Sequence, residues 1–166
     1  MATKKAKIKS AFDSKDFTSS RIVSIFSVHD GDTVGCNIVH SKHNVETNVY
    51  LRLIGIDSPE HGKDEPYASL SRDHLTTLLT GQDSSLFLMN SNGTRLLPKP
   101  VQILARLGDE DDKGRTLAYL YANSQEFLIF NGVSTNQQMI IDKFAVAYDG
   151  VGKRPVTDWP SIFGTK

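Results

Sequence analysis

Two short segments of the sequence combine carboxylates, an arginine and glycines in patterns suited to binding phosphate and a metal ion. The segment at 29–34 reads His-Asp-Gly-Asp-Thr-Val, and the segment at 52–60 reads Arg-Leu-Ile-Gly-Ile-Asp-Ser-Pro-Glu. Asp32 and Asp57 can supply oxygen ligands to calcium or magnesium, because both cations prefer carboxylates, carbonyls and water. The residue types alone leave open which of the two cations would bind.

The other charged residues of the second segment are able to act on a phosphoryl group. Glu60 can take a proton from a water molecule. Arg52 can bind the equatorial oxygens of the phosphoryl group and offset the charge that develops on them. Together, the two segments are typical of metal-assisted phosphodiester hydrolysis.

Each of these residues also has an ordinary structural interpretation, which is the more frequent one for the residue alone. Asp32 follows an Asp-Gly dipeptide, a common hairpin turn. Glu60 is a frequent acid at the entry to a helix, and Arg52 on a strand usually lies on a solvated face. The chemical interpretation therefore depends on the combination of residues.

The spacing of Arg52 and Asp57 requires a bend in the chain. They are five positions apart, so a straight strand would point them to opposite faces of a sheet. Gly55 lies between them and is the residue that would permit a bulge. A shared site for the two side chains therefore predicts a bend at this glycine.

Periodicity predicts strands and two helices around these segments. Strand-like segments, rich in β-branched or alternating apolar residues, lie at 21–28, 33–39, 49–53, 84–89, 101–107 and 115–121. In the last of them, Leu117, Tyr119 and Tyr121 alternate, and we predict that the tyrosines belong to the core. Helical spacing follows Pro66 and ends at Gly81, a typical C-cap. A second helix is predicted after Ser134, the start of a capping box.

This element order predicts an α+β, mainly β fold. A five-stranded, OB-fold-like (oligonucleotide-binding) closed barrel with two packed helices meets the description, because closure removes exposed edge strands. A split α+β sheet is the alternative. We predict a polar basic arm at 1–20, one domain at 21–148 and an irregular tail at 149–166.

Composition excludes several classes of protein. The chain of 166 residues is 39% hydrophobic and 23% charged, which is ordinary for a globular domain and excludes a coiled coil or wholesale disorder. Its 19 basic and 19 acidic residues give no net charge, which argues against indiscriminate phosphate binding. The single cysteine, Cys36, excludes an internal disulfide and reads as a small buried apolar residue.

No apolar run approaches the roughly 18 residues of a membrane helix, and no apolar stretch follows the basic N-terminal residues. We therefore expect a cytoplasmic protein without a membrane partner. A virion-associated product of a phage or mobile element is an alternative. In such an assembly, partner chains would contact the arm at 1–20 and the segment Trp159–Phe163.

The combination of motifs resembles the staphylococcal nuclease (thermonuclease-like) family. The resemblance rests on Asp-Gly-Asp-Thr-Val at 30–34, on the segment at 52–60 and on Asp-Lys-Gly-Arg-Thr-Leu-Ala-Tyr-Leu-Tyr at 112–121. The three motifs occur in the family's order, and the resemblance covers residues 21–148. It implies an endonuclease that hydrolyses phosphodiester bonds of DNA or RNA and leaves 3′-phosphate ends.

The resemblance also implies roles for individual residues. The metal ligands would be Asp32, Asp57 and the backbone carbonyl of Ser58, with calcium preferred to magnesium. The catalytic residues would be Arg52 and Arg115, which hold the scissile phosphate, and Glu60, the general base. The substrate-binding candidates are Lys63, Lys113 and Tyr148.

Three departures from the family pattern bear on activity. An acidic turn at 109–112 lies beside the expected phosphate site, and we interpret it as a solvated hairpin tip. Residues 82–100 are an insertion that we expect to add a hairpin. The family's long third helix is replaced after Tyr148. The alternative function is therefore a catalytically idle module that binds nucleic acid or a protein partner.

Overall fold

The computed structural model describes residues 20–122, 133–150, 152–154 and 156–164. The strands are β1 (Ser20–Asp30), β2 (Thr33–Ser41), β3 (Asn44–Leu53), β4 (Ile56–Asp57), β5 (Leu88–Met89), β6 (Arg95–Glu110), β7 (Thr116–Tyr121) and β8 (Val146–Ala147). The helices are α1 (Tyr67–Thr80), α2 (Thr135–Ile141) and α3 (Trp159–Phe163), with a 3-10 helix at Ser84–Leu86. Of the predicted arm, residues 1–19 lie outside the described part of the chain.

The strands form a mainly β structure whose pairing is consistent with an OB-like fold. Six strands share one sheet in the order β1-β2-β3-β7-β6-β5, and β6 also pairs with β1. Pairing therefore leads from β1 through β2, β3, β7 and β6 back to β1. All these pairs are antiparallel except β3 with β7. The mainly β prediction is confirmed, but the described residues contain three α-helices instead of the predicted two.

Alternation along β2 places one face of the strand in the core. Val34, Cys36 and Ile38 are buried, as the period of two predicts. Burial, with a smaller contribution from the charge of Glu46, raises the pKa of the Cys36 thiol to about 12. The thiol therefore stays protonated and packs as a small apolar side chain, which confirms its interpretation from the sequence.

The prediction that Tyr119 and Tyr121 of β7 belong to the core is wrong. Ala118 and Leu120 are fully buried, whereas Tyr119 and Tyr121 are only half-buried. Since successive residues of a strand point to opposite faces, the core face carries the smaller residues and the tyrosines lie on the other face. Arg106 lies 5.8 Å from the centre of the Tyr121 ring, which gives that ring a cation–π contact.

Helix α1 follows its prediction closely. It ends at Thr80, and Gly81 adopts the left-handed conformation with φ of 71° and donates its N–H to the Thr77 carbonyl. Glycine is favoured there because a side chain would be strained at positive φ. The buried face of α1 consists of Ala68, Ser71, Arg72, Leu75, Thr76 and Leu79.

The insertion at 82–100 adds the predicted hairpin, in which β5 pairs with β6. Asp73 of α1 attaches this hairpin to the helix, since its carboxylate lies 2.8 Å from Nε of Arg72 and 3.0 Å from Nε of Arg95. Arg72 is buried and also donates to the Gly93 carbonyl in the hairpin turn. The Asp73–Arg95 ion pair and the Arg72–Gly93 hydrogen bond hold the insertion against α1.

The predicted irregular tail contains helix α3, which docks on the chain itself. Trp159 and Phe163 are buried. The ring of Phe163 lies 5.1 Å from that of Tyr67 and 5.4 Å from that of Phe144. These two side chains of α3 therefore pack within the chain, and a contact of this segment with a partner chain stays a prediction. No helix within the described residues is long and apolar enough to cross a membrane.

Helix α2 is joined to the strands by one buried amide that the sequence did not single out. Ser134 caps the helix as predicted, accepting the N–H of Gln137. Inside the helix, Asn136 accepts the N–H of Leu120 at 3.0 Å and donates to the carbonyls of Ile54 and Ala118, each at 2.9 Å. This side chain thus links α2, β7 and the turn that precedes Asp57.

We expect Asn136→Ala to lower the free energy of unfolding by about 1–3 kcal/mol, because buried backbone groups would lose their partner. Urea unfolding followed by circular dichroism measures this change. Gln137→Ala is the matched control in the same helix, since this side chain is exposed, and we expect it to change stability by less than about 0.5 kcal/mol. Equal stabilities of the two variants would contradict the linking role of Asn136.

Candidate active site

The ends of several strands meet around one pocket of about 390 Å³. Asp32 lies in the turn between β1 and β2, Arg52 lies on β3, Asp57 ends β4, and Arg115 immediately precedes β7. Eight of the nine predicted site residues line the pocket: Asp32, Arg52, Asp57, Ser58, Glu60, Lys113, Arg115 and Tyr148. Lys63 does not line the pocket, and its side chain is exposed to solvent.

The predicted bend between Arg52 and Asp57 is present. Gly55 lies in the turn between β3 and β4 with φ of 83°, a conformation that glycine adopts without strain. The turn is held by the Tyr148 N–H, which donates to the Gly55 carbonyl at 2.9 Å. As a result, Nη2 of Arg52 lies 3.7 Å from Oδ1 of Asp57.

Asp32 is buried but is held in the ionised form. Its carboxylate accepts the Ser58 N–H at 3.1 Å and the Thr33 hydroxyl at 2.9 Å, and lies 3.3 Å from Nη2 of Arg52. Burial alone would raise the pKa of Asp32, but the Arg52 charge and the hydrogen bonds outweigh it and the pKa is lowered. For Asp30, burial and the charge of Asp32 raise the pKa well above its usual value.

Asp57 is buried beside two arginines. Burial raises its pKa, and the neighbouring Asp32 adds to the increase, while Arg154 and Arg52 oppose it. The Asp57 carboxylate lies 2.8 Å from Nη2 and 3.0 Å from Nε of Arg154. Arg154 was not among the predicted site residues, although it lines the same pocket.

Ser58 contributes backbone groups to both sides of the site. Its N–H donates to Asp32, and its carbonyl accepts Nη2 of Arg154 at 3.1 Å. Its hydroxyl is buried, with no hydrogen-bond partner in the described part of the chain. The Asp32 and Asp57 carboxylates and the Ser58 carbonyl form an oxygen-only donor set, which is the chemistry that calcium and magnesium prefer.

Glu110 and Asp112 of the acidic turn at 109–112 are exposed, as a solvated tip predicts, but Asp111 points inward and positions Arg115. Asp111 is buried and accepts the backbone N–H groups of Lys113 and Arg115, each at 2.9 Å. Its carboxylate also lies 2.8 Å from Nε and from Nη2 of Arg115. Nη1 of the same arginine lies 3.4 Å from the Thr33 hydroxyl. Asp111 therefore closes the turn and fixes the guanidinium at the edge of the pocket.

Glu60 reaches the pocket from a more exposed position. Half of its side chain is exposed, and Oε2 lies 2.8 Å from Nη1 of Arg154. Its backbone N–H donates to Asp64, which holds the turn before α1. Since the Glu60 carboxylate faces both the pocket and solvent, water can reach it directly.

Tyr148 and Lys113 form part of the pocket wall. The Tyr148 hydroxyl donates to the Gly152 carbonyl at 3.0 Å, and burial is the main cause of its raised pKa. Its ring therefore stays neutral. The roles of Tyr148, Lys113 and Lys63 in substrate binding stay predictions.

Within the described residues, no group of three or more histidine, cysteine, aspartate or glutamate side chains is arranged to hold a metal ion. A cation in this pocket would therefore rest on two carboxylates, one carbonyl and water. Calcium and magnesium both accept carboxylate, carbonyl and water ligands.

Fold and pocket together define a mainly β protein that gathers carboxylates and guanidinium groups at the ends of its strands. The sequence profile of the family described as staphylococcal nuclease homologue matches residues 50–159. The chain belongs to this family. The match includes Arg52, Asp57, Glu60 and Arg115, whereas Asp32 precedes it. No curated protein matches the chain.

Proposed function

We propose that the chain is a calcium-dependent endonuclease that hydrolyses phosphodiester bonds of DNA or RNA on a closed, OB-like barrel. The observation that supports this proposal is the convergence of two carboxylates, two arginines and an accessible glutamate on one pocket. A volume of about 390 Å³ lies within the range of small-ligand sites and suits a nucleotide.

The calcium ion would be held by the carboxylates of Asp32 and Asp57 and by the Ser58 carbonyl. When bound, it supplies positive charge that offsets the negative charge of the phosphorane. Burial would raise the pKa of Asp32, but Arg52 and hydrogen bonds lower it, whereas burial raises the pKa of Asp57. The donor set therefore suits a hard divalent cation.

The protein's own residues would bind and orient the phosphoryl group and deprotonate the attacking water molecule. Arg52 and Arg115 each carry five N–H donors and would bind the phosphoryl oxygens. Asp111 and Thr33 hold Arg115 at the pocket edge before substrate arrives, so little reorganisation is needed. Glu60 would accept the proton of the water molecule that attacks phosphorus in line with the leaving oxygen.

Calcium removal provides the direct test of this function. We expect the full chain to hydrolyse heat-denatured DNA, native DNA or RNA when calcium is present, and to stop when EGTA is added. Excess calcium should restore the activity, since the ion offsets charge that no other group replaces. Plate and fluorescence assays with each substrate measure the effect.

Two outcomes would contradict different parts of the proposal. Undiminished hydrolysis in EGTA would contradict calcium dependence but not nuclease activity. If no substrate is hydrolysed in the presence of either calcium or magnesium, the proposed nuclease activity is contradicted.

The second candidate function is a catalytically idle module that binds nucleic acid or a protein partner. One observation favours it: Asp57, Glu60 and Arg115 are all engaged in ion pairs with residues of the chain. In that case the arm at 1–20 would contribute to binding, for example in a virion. Binding of labelled DNA or RNA without hydrolysis would support this function.

A further inference from the structure

Arg154 places a positive charge on the oxygens of the candidate metal site. Its guanidinium contacts Asp57 through two nitrogens, the Ser58 carbonyl through Nη2 and Glu60 through Nη1, all between 2.8 and 3.1 Å. Three predicted site residues are therefore bound by one side chain. The chain positions differ by 97 for Asp57 and by 94 for Glu60.

These contacts disfavour a cation on the same atoms. Each N–H donor of Arg154 occupies one of the two lone-pair directions of its acceptor oxygen, and both of its contacts with Asp57 are on Oδ1. A guanidinium beside a divalent cation would also experience like-charge repulsion, which is strong where burial limits screening, as it does at Asp57. Arg154 and a metal ion thus compete for Asp57 and Ser58.

Structure on both sides of Arg154 keeps the side chain near the pocket. On one side, β8 pairs with β4, with Val146 opposite Asp57. On the other, Trp159 begins α3 and is buried. Arg154 is 43% exposed, so it reaches the site from the solvent side. A tethered group has a high effective concentration and can compete with a free ligand.

We propose that Arg154 is an intramolecular competitor of the divalent cation, so that the enzyme must release this arginine before it can bind metal. The inference rests on the proposed function and adds a regulation to the same site. With Arg154 bound, its guanidinium charge lies on one oxygen each of Asp57, Ser58 and Glu60. Metal affinity is then set by how often the arginine leaves.

The test is the calcium affinity of the full chain, measured by isothermal titration calorimetry. If Arg154 occupies the site about nine-tenths of the time, Arg154→Ala should lower the dissociation constant for calcium about tenfold. Lys153→Ala is the matched control, because it removes one exposed positive charge from the adjacent position. We expect it to leave the dissociation constant close to the wild-type value. Circular dichroism verifies that both variants are folded.

A second measurement follows the arginine in the unmutated protein. The Nε–H resonance of Arg154, identified by its loss in Arg154→Lys, should shift as calcium is added. The Nε–H resonance of Arg21, on β1 and outside the pocket, should not move. Calcium binding without any change at Arg154 would overturn the competition.

The remaining outcomes separate this inference from the proposed function. Equal calcium affinities of wild type and Arg154→Ala, with hydrolysis intact, would overturn the competition alone. Tighter calcium binding by Arg154→Ala with no hydrolysis by either protein would support the competition and overturn the nuclease. Absence of calcium binding in both proteins would overturn the competition.

Discussion

Replacement of Arg115 by alanine is expected to lower kcat/KM for phosphodiester hydrolysis by at least about 100-fold, the usual cost of losing one donor to a developing oxyanion. The guanidinium lies at the pocket edge, is held by Asp111 and contacts Thr33. It is thus oriented before substrate binds. Initial rates with a fluorescent oligonucleotide in calcium measure the change.

Two comparisons separate this effect from loss of charge or of fold. Arg115→Lys keeps the charge but lacks the planar fork that binds two phosphoryl oxygens, so most of the loss should persist. Arg21→Ala removes an arginine that lies outside the pocket, and we expect wild-type rates. Thermal unfolding verifies that the domain stays folded when the turn at 109–112 loses its contact with Arg115. Wild-type activity of folded Arg115→Ala would remove this residue from the mechanism.

Replacement of Glu60 by glutamine is expected to lower kcat by at least about 100-fold, within the range for removal of a general base. Glutamine keeps the shape of the side chain but has no oxygen basic enough to accept the proton from water. Half of the Glu60 side chain is exposed, so the substitution should leave the fold intact. Single-turnover hydrolysis reports the chemical step directly.

The ion pair between Glu60 and Arg154 must be controlled in this experiment. Glu60→Gln weakens that pair and could alter metal binding as well as proton transfer. The substitution should therefore also be made in the Arg154→Ala background, where the loss of activity should persist at saturating calcium. Glu46→Gln, an exposed change on β3, is the charge-matched control. Unchanged activity in both backgrounds would show that another group accepts the proton.

The sequence predicted those elements that depend on local backbone preferences. The end of α1 at Gly81 and the cap of α2 at Ser134 follow from residues only a few positions apart. The bend at Gly55 was predicted from two side chains that had to meet, and its φ of 83° is one that glycine tolerates. Local rules thus located two helix ends and the bend at the pocket.

The sequence could not predict which face of β7 packs against the core. Leu117, Ala118 and Leu120 are all buried, so apolar residues occur on both faces of the strand. Which face meets the core is decided by the pairing of β7 with β3 and β6. Burial on both faces therefore gives β7 no clear period of two from which the core face could be predicted.

For the candidate site, the sequence by itself determined the family, because the motifs at 30–34, 52–60 and 112–121 carry carboxylates and arginines in the order of that family. Only the tertiary structure decided what holds those groups. Asp111 turned out to orient Arg115, and Arg154 to bind Asp57 and Glu60. The pairs with Arg154 span more than ninety positions of the chain. A contact over such a distance leaves no local pattern, since it is created by the docking of β8 and α3 on either side of Arg154.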